Sequence, residues 1–275
     1  MKADMHTHSQ FSHDSICVIE EMCLFQMQRG TKIFAVTDHC DIASFCQYDV
    51  FAPIKEAWEE VVALKKRYDG RCLILSGVEI GEGFWFPEQC KKIHDLALYD
   101  VIIGSVHCVK CKDLEMAYSR IDFSLLDREK IYKYLDCYFR DMITMLQTED
   151  FDILAHLTCP LRYIEGKYGI QLDLKRFEEK ISTILKTVVE RKIALEINTS
   201  SYDTLHDFMP GREIIEKYYR MGGRLVTLGS DAHIAEHASY KFENVVQVLK
   251  EVGFENICYY QNRNRKAISL YGGSK

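Results

Sequence analysis

Long apolar runs are absent from this sequence of 275 residues. No segment approaches the ~18 uninterrupted apolar residues that a membrane-spanning helix requires. The first ten residues, MKADMHTHSQ, also lack the apolar core of a secretion signal. The sequence therefore predicts a cytoplasmic protein with no membrane partner.

An excess of positive charge is also absent, since the formal net charge is −6 and the isoelectric point is near 5.9. A chain with this balance has no general electrostatic attraction to nucleic acid or to an anionic membrane. We therefore predict no nucleic-acid partner. Any anionic substrate must be drawn in by local positive charge.

Proline is scarce, with four residues, and the chain has no linker, internal repeat or low-complexity tract. This continuity predicts one domain over residues 1–275. Cysteine is frequent, but the eleven residues are odd in number and scattered, so a disulfide framework is not expected. Cys108 and Cys111 have the C-x-x-C spacing, but no second such pair exists to complete a four-cysteine zinc site.

Short apolar runs alternate with longer stretches of helical character, a pattern typical of α/β folds with parallel strands. The predicted strands are Ala3–His6, Ile33–Thr37, Leu73–Val78, Val101–Val106, Ile153–Ala155, Ala194–Ile197 and Leu225–Leu228, with a weaker one at Ile257–Tyr260. The predicted helices are Val18–Gln28, Pro53–Tyr68, Asp127–Leu146, Leu174–Arg191, Gly211–Arg220 and His237–Glu251, and Phe84–Leu98 is ambiguous. About seven β/α units in a chain of this length predict a TIM-like barrel rather than an open sheet.

Potential metal ligands lie at or near the carboxyl end of every predicted barrel strand. They are His6, His8, Asp38, His39, Glu79, His107, His156, Glu196, Asp231 and His233. In a parallel barrel these strand ends share one mouth, where active sites of this architecture lie. A single strand-end histidine is usually an ordinary hydrogen-bonded residue, but the repeated placement predicts one common site.

The residue types indicate which ions such a site would bind. In H-x-H on an extended segment alternate side chains point the same way, so His6 and His8 can hold one cation together, and Asp231 and His233 have the same spacing. Mixed imidazole and carboxylate ligands suit zinc, manganese or iron. Glu79 can bridge two ions, and bridged pairs recur in enzymes that hydrolyse phosphate esters. We therefore expect two to three divalent transition-metal ions.

Seven short motifs follow one another along the chain. They are H-T-H at His6–His8, T-D-H at Thr37–His39, G-V-E-I-G at Gly77–Gly81, G-S-V-H at Gly104–His107, A-H-L at Ala155–Leu157, E-I-N-T-S at Glu196–Ser200 and G-S-D-A-H at Gly229–His233. Taken together they resemble the polymerase-and-histidinol-phosphatase (PHP) family, and within it the monofunctional histidinol-phosphate phosphatase branch. The resemblance implies a distorted seven-stranded barrel around a trinuclear metal centre. The residues after His233 resemble a terminal strand and helix of the same barrel.

The resemblance also implies a ligand set. The first cation would be held by His6, His8, Glu79 and Asp231, the second by Glu79, His107 and His156, and the third by Asp14, His39 and His233. Asp14 is assigned because family members place a ligand six residues after the second histidine of H-x-H, and the neighbouring His13 is the alternative. Asp38 and Glu196 are expected behind the ligands, where they would orient them or touch substrate.

The implied reaction is hydrolysis of L-histidinol phosphate to L-histidinol and inorganic phosphate, a step of histidine biosynthesis. Glu79 would act by bridging the ions, and Asp231 or His233 is expected to donate a proton to the leaving group. Arg162, six residues after His156, is expected to grip the phosphoryl group through two parallel donors. The alternative is an ordinary surface arginine.

Three further residues are candidates for contacting the amine and imidazole of the substrate: Glu82, Trp85 and Tyr163. The chain departs from the branch after E-I-N-T-S, where it has Ser201-Tyr202-Asp203 in place of a glycine and often a basic residue. Substrate recognition on that loop is therefore expected to differ. The alternative functions are a phosphoesterase of the same family acting on another small phosphate monoester, and a non-catalytic metal-binding protein. The sequence does not predict the oligomeric state.

Overall fold

The computed structural model describes residues 2–44, 49–111, 114 and 116–272. The strands in this part of the chain are β1 Ala3–Asp4, β2 Ile33–Val36, β3 His39–Asp41, β4 Leu73–Gly81, β5 Val101–Ser105, β6 Cys108–Val109, β7 Met116–Ala117, β8 Ile153–Leu154, β9 Ala194–Asn198, β10 Val226–Gly229, β11 Asn256–Gln261 and β12 Asn264–Ser269. The helices are α1 Ile19–Gln28, α2 Phe51–Arg67, α3 Pro87–Leu96, α4 Arg128–Thr148, α5 Glu178–Arg191, α6 Tyr202–Leu205, α7 Arg212–Arg220 and α8 Phe242–Val252. Within these described residues, no helix combines the length and the apolar character needed to cross a bilayer.

Seven parallel strands form a barrel in the order β1, β2, β4, β5, β8, β9, β10. The last strand returns to the first, where the amide of Met5 donates to the carbonyl of Leu228 at 2.8 Å and Thr7 bridges Ala232. The predicted seven-stranded TIM-like barrel is therefore confirmed. Because β1 and β8 have only two residues each, the barrel is irregular.

The barrel strands are buried on both faces and largely apolar, because side chains fill the interior and helices cover the outside. Every residue of β2, β5, β8, β9 and β10 is buried. Continuous apolar runs of this kind are typical of parallel strands covered on both sides. They explain why the strand positions could be read from the sequence.

Local capping marks the start of α4 and the end of α8. Before α4, the side chain of Asp127 accepts a hydrogen bond from the amide of Lys130 at 2.8 Å, which satisfies one of the free amides of the first turn. At its other end, α8 stops at Gly253, whose φ of 110° is favoured only for glycine. The ambiguous segment Phe84–Leu98 is a short 3₁₀ turn followed by α3.

The carboxyl-terminal part of the described chain differs from the prediction. The residues after His233 include a helix, α8, as expected, but β11 pairs antiparallel with β12, so the expected terminal strand belongs to a separate hairpin and not to the barrel sheet. The turn consists of Asn262 and Arg263, with φ of 51° and 58°. Two successive left-handed residues reverse the chain tightly, and the chain continues from the turn as β12.

Candidate metal centre

All nine predicted ligands meet at the carboxyl end of the barrel. His6 and His8 follow β1, Asp14 lies in the loop before α1, His39 begins β3, Glu79 lies in β4, His107 follows β5, His156 follows β8, and Asp231 and His233 follow β10. Residues that are distant in sequence are thus brought into one cluster. Four groups of three within it, all drawn from these residues, have ligand atoms within 4.8 Å of one another.

Glu79 is the centre of the cluster and is completely buried. Its Oε2 lies 3.3 Å from Nε2 of His6 and 2.8 Å from Nδ1 of His39. Its Oε1 lies 2.9 Å from Nε2 of His156 and 3.2 Å from Nε2 of His107. One carboxylate therefore faces different histidines with each oxygen, which is the geometry that a bridging ligand needs.

Asp231 completes the set of residues predicted to hold the first cation, here called the first group. Its Oδ1 lies 3.1 Å from Nε2 of His8 and 3.9 Å from Nε2 of His6. The residue has a φ of 51°, and its amide donates to the carbonyl of His6 at 2.8 Å. This turn at the end of β10 directs the carboxylate across the barrel mouth toward both histidines of H-T-H.

Asp14 lies between His39 and His233, the two histidines predicted to hold the third cation with it and here called the third group. Its Oδ2 is 3.2 Å from Nε2 of His233 and 3.6 Å from Nε2 of His39, whereas Nε2 of His13 is 4.0 Å from the same oxygen. The arrangement favours Asp14 over His13. The ring of His8 stacks on both His39 and His233, with centroids 4.1 and 4.2 Å away, so the first and third groups adjoin.

Four of the histidines are oriented through Nδ1, which leaves Nε2 directed into the cluster. The Nδ1 contacts are His6 with Glu196 at 2.6 Å, His8 with Ser12 at 3.1 Å, His107 with Asp41 at 2.8 Å, and His233 with the carbonyl of Asp231 at 2.9 Å. A histidine that donates from one ring nitrogen presents a lone pair on the other. This arrangement is typical of metal-ligating histidines.

Several polar atoms at the centre of the cluster are buried without a hydrogen-bond partner. Among the described residues, they include Nε2 of His6 and His8, Nδ1 of His39, and Oε2 of Glu79. Each such atom costs roughly 1–3 kcal/mol when nothing satisfies it. Divalent cations would coordinate all of these atoms, and a donor set of imidazole nitrogens and carboxylate oxygens suits zinc, manganese or iron. The residues present therefore fit the ions that the sequence predicts.

The electrostatics of the cluster point the same way. Burial alone lowers the pKa of His39, but the charge of Glu79 and a hydrogen bond to Asp14 raise it to about 10. Burial alone raises the pKa of Glu79, yet His6 and His107 hold it well below its usual range. The carboxylates thus favour positive charge inside the buried cluster, and bound metal ions would supply that charge.

Carboxylates behind the cluster support its loops. Asp38 accepts from the amide of Ser9 at 2.6 Å and from the hydroxyl of Ser12 at 2.8 Å, which fixes the loop after H-T-H. Glu196 accepts from the amide of His156 at 2.7 Å in addition to its contact with His6. Asp41, which contacts His107, is not among the sequence-predicted residues.

A cavity of about 350 Å³ opens over the cluster, and Arg162 and Tyr163 are part of its wall. Arg162 begins a π-helical turn over Arg162–Lys167 rather than lying in an open loop. Its Nη1 is 3.1 Å from the hydroxyl of Ser200 and 3.8 Å from Oδ2 of Asp231, and its side chain is 36% exposed. The guanidinium therefore stands beside the proposed ligands, within the site.

Glu82 is not in this wall, although the sequence suggested it as a substrate contact. It is completely buried, and its Oε1 accepts hydrogen bonds from the amides of His107 and Cys108. Glu82 has a φ of 52°, which turns the side chain beneath the loop after β5. Glu82 therefore supports the backbone of His107, whereas Trp85 does line the cavity.

The departure from the family pattern at Ser201-Tyr202-Asp203 also lies outside the cavity wall that the described residues form. Ser201 is buried and donates to the carbonyl of Asp207, and Tyr202 stacks near Phe208. These residues pack the loop after β9 against its surroundings. Ser200 is the residue of this loop that contacts Arg162 and Asp231.

A family model described as the PHP domain matches residues 4–200. The chain belongs to the PHP family. Over 264 residues it is 30% identical to a probable histidinol-phosphatase of Clostridium acetobutylicum, and the alignment covers 93% of this chain and 97% of that relative. It is 26% identical to the histidinol-phosphatase of Lactococcus lactis, with 97% of this chain and 98% of the relative covered.

Membership of the PHP family agrees with the fold. The crystal structure of the Lactococcus lactis histidinol phosphate phosphatase complexed with zinc, L-histidinol and phosphate superposes with a TM-score of 0.79. It covers 96% of this chain and 98% of that structure at 22% sequence identity. The family resemblance of the seven motifs is confirmed by the family model, and the barrel has the fold of this solved histidinol phosphate phosphatase.

Proposed function

We propose that this PHP protein is a metal-dependent phosphatase that hydrolyses L-histidinol phosphate to L-histidinol and inorganic phosphate. The observation that carries the proposal is Glu79, whose two oxygens face separate sets of histidines at the centre of the cluster. Similarity over nearly the full length to histidinol-phosphatases supports the choice of substrate. The enzyme would act in the cytoplasm, in histidine biosynthesis, with residues 1–275 as one catalytic domain.

The three ligand groups would hold two to three divalent ions of zinc, manganese or iron. They are His6, His8, Glu79 and Asp231; Glu79, His107 and His156; and Asp14, His39 and His233. When bound, such ions supply a water of lowered pKa and neutralise phosphoryl oxygens. The carboxylates and oriented rings would hold such ions in place, so that little reorganisation of these side chains would be needed during the reaction.

The side chains around the ions would position the phosphoryl group. Arg162 offers two parallel N–H donors, which match two phosphoryl oxygens. Ser200 accepts from Arg162 and donates to Asn198 or Asp231, and so fixes the direction of the guanidinium. Asp231 or His233, both in the cavity wall, would deliver the proton to the departing alkoxide.

The remainder of the cavity is suited to a small aromatic substrate. Its wall includes the rings of Trp85, Tyr118 and Tyr163, and the last two have centroids 5.4 Å apart. Aromatic side chains bind planar groups such as an imidazole through their faces and edges. The volume of about 350 Å³ lies at the small end of ligand pockets, which fits a monoester of this size.

Steady-state assays of purified protein with added Mn²⁺ or Zn²⁺ test the proposal. We expect kcat/KM for L-histidinol phosphate to exceed that for p-nitrophenyl phosphate and glycerol phosphate by roughly 100-fold or more, a difference of about 2.7 kcal/mol at the transition state. Equal rates on all esters would indicate a phosphatase for a different monoester. Complete absence of turnover with bound metal would identify a non-catalytic metal-binding protein.

A further inference from the structure

Asp41 has a place in the site that the ligand set does not explain. Among the described residues, the acidic side chains of the cavity wall are Asp14, Asp41 and Asp231, and only Asp41 lies outside the predicted ligands. Its Oδ1 is 2.8 Å from Nδ1 of His107. We propose that Asp41 is a positioning residue that holds His107 for the second cation, and that its removal weakens that metal site selectively.

The strand register brings Asp41 to this position. β3 runs parallel to β4, with His39 paired to Glu79 and Asp41 paired to Gly81. Alternate residues of a strand point to the same face, so His39 and Asp41 face the same side. His39 contacts Glu79, and Asp41, two residues further along the strand, contacts His107.

Gly81 makes room for this pair. A Cβ at that position would lie 2.5 Å from Oδ1 of Asp41 and 3.2 Å from Nδ1 of His107. Gly81 does not have a positive φ, so close approach, rather than backbone conformation, is what requires a glycine here. The contact between Asp41 and His107 is thus accommodated by the neighbouring strand as well as by its own two residues.

The hydrogen bond determines which nitrogen of His107 serves the cation. A carboxylate at Nδ1 retains the proton there, so that the lone pair lies on Nε2, 3.2 Å from Oε1 of Glu79. Glu82 already fixes the backbone amide of His107. Asp41 fixes the remaining freedom, the rotation of the ring.

The second metal site depends on this contact more than the first site depends on any single partner. Its other histidine, His156, has a buried Nδ1 with no hydrogen-bond partner among the described residues. In the first group, by contrast, the rings of His6 and His8 are held by Glu196 and Ser12. The loss of Asp41 would therefore leave neither histidine of the second group oriented through Nδ1.

Metal titration of purified variants tests the inference, which rests on the proposed metal-dependent function. Asp41→Ala should lose about one of the bound equivalents in elemental analysis and need roughly 10–100-fold more Mn²⁺ for half-maximal activity. Saturating Mn²⁺ should restore kcat, because Asp41 is not itself a ligand. Asp41→Asn keeps an oxygen that can accept from Nδ1 and should fall between Asp41→Ala and the parent.

Gly81→Ala provides a second variant, because it displaces Asp41 without removing the carboxylate, and it should show the same shift in Mn²⁺ requirement. Asp152→Asn is the matched control. Asp152 is similarly buried, with a side chain 10% exposed against 15% for Asp41, but it accepts from the amide of Ile102 at the opposite end of the barrel. Its metal content should equal that of the parent.

An Mn²⁺ requirement and metal content within twofold of the parent in Asp41→Ala, or in Asp41→Asn if the first variant does not fold, would overturn the inference. Parallel loss of all ions, not recovered at saturating Mn²⁺, would also overturn it, since Asp41 would then be a general structural residue. A parent protein that binds no ions would refute the proposed function itself. The two failures are therefore distinguishable.

Discussion

Glu79 and Asp100 are both carboxylates with almost no solvent exposure, at opposite ends of the barrel. Asp100 precedes β5 and is saturated with hydrogen bonds: its oxygens accept from Lys65, from the amide and hydroxyl of Ser76, and from the amide of Asn262. Glu79, in contrast, has a buried Oε2 with no hydrogen-bond partner among the described residues.

This difference in hydrogen bonding indicates that the two buried carboxylates have different roles, one in the stability of the fold and one in binding an ion. Around Asp100 the surrounding donors satisfy the carboxylate, so its contribution is to the stability of the fold. Around Glu79 the neighbours are histidine nitrogens; Nε2 of His156 makes a hydrogen bond to Oε1, and bound cations would satisfy the cluster atoms that have no such partner among the described residues. The polar groups at the carboxyl end are thus arranged for a bound ion, at a cost in stability when the ion is missing.

Replacement of Glu79 should have the largest effect. Glu79→Gln keeps the shape but removes the negative charge and one of the two anionic oxygens, so we expect turnover to fall by several orders of magnitude. Folding should be largely retained, because the substitution relieves an unsatisfied buried charge. Activity measurements and thermal denaturation check both parts, and near-normal activity would contradict the bridging role.

Removal of the ions should have the next largest effect. The purified protein should contain two to three equivalents of transition metal by elemental analysis, and chelators should abolish its activity. The melting temperature should also fall, because an ion present at 100 times its dissociation constant stabilises the fold by about 2.7 kcal/mol. A fully active preparation with less than one equivalent would rule out a multinuclear centre.

Substitution of Arg162 separates phosphate binding from metal binding. Arg162→Ala should leave the metal content unchanged. It should lower kcat/KM for every phosphate monoester, and the corresponding rise in activation free energy should be roughly 2–4 kcal/mol, as expected for loss of a charge-stabilising donor. Arg162→Lys should recover little, since an ammonium cannot offer two parallel donors. If both variants matched the parent within a factor of about two, the arginine would have no role in the reaction.

The smallest effect on catalysis is expected at Asp100. Asp100→Asn should lower the free energy of unfolding by roughly 1–3 kcal/mol, because donors now bound to the carboxylate lose part of their partner. Metal content and kcat should stay within about twofold of the parent. Chemical denaturation together with activity assays measures the contrast with Glu79→Gln, and loss of metal in Asp100→Asn would mean that the two ends of the barrel are coupled.

The sequence predicted the barrel and its ligand cluster because each strand is an apolar run that ends in a histidine or carboxylate. Other features depend on contacts that spacing alone does not reveal. Asp41 lies two residues after His39, which could have indicated a shared face, but its contact with His107 is set by the registers of β3 with β4 and of β4 with β5. Glu82 was expected in the substrate cavity but lies beneath the loop after β5. Its own left-handed backbone conformation changes the direction of its side chain, and the sequence does not reveal this.

The seam between β1 and β10 has a consequence for how the enzyme matures in the cell. His6 and Asp231 belong to one ligand group, yet the ribosome must complete almost the entire barrel between them before they can meet. A nascent chain that lacks β10 has neither Asp231 nor His233, so the first and third proposed ligand sets can be completed only after the barrel closes. An ion held by both His6 and Asp231 would join the two strands and close a very long loop, a type of cross-link that restricts the unfolded chain strongly. Capture of that ion would thereby couple closure of the barrel to completion of the proposed metal centre.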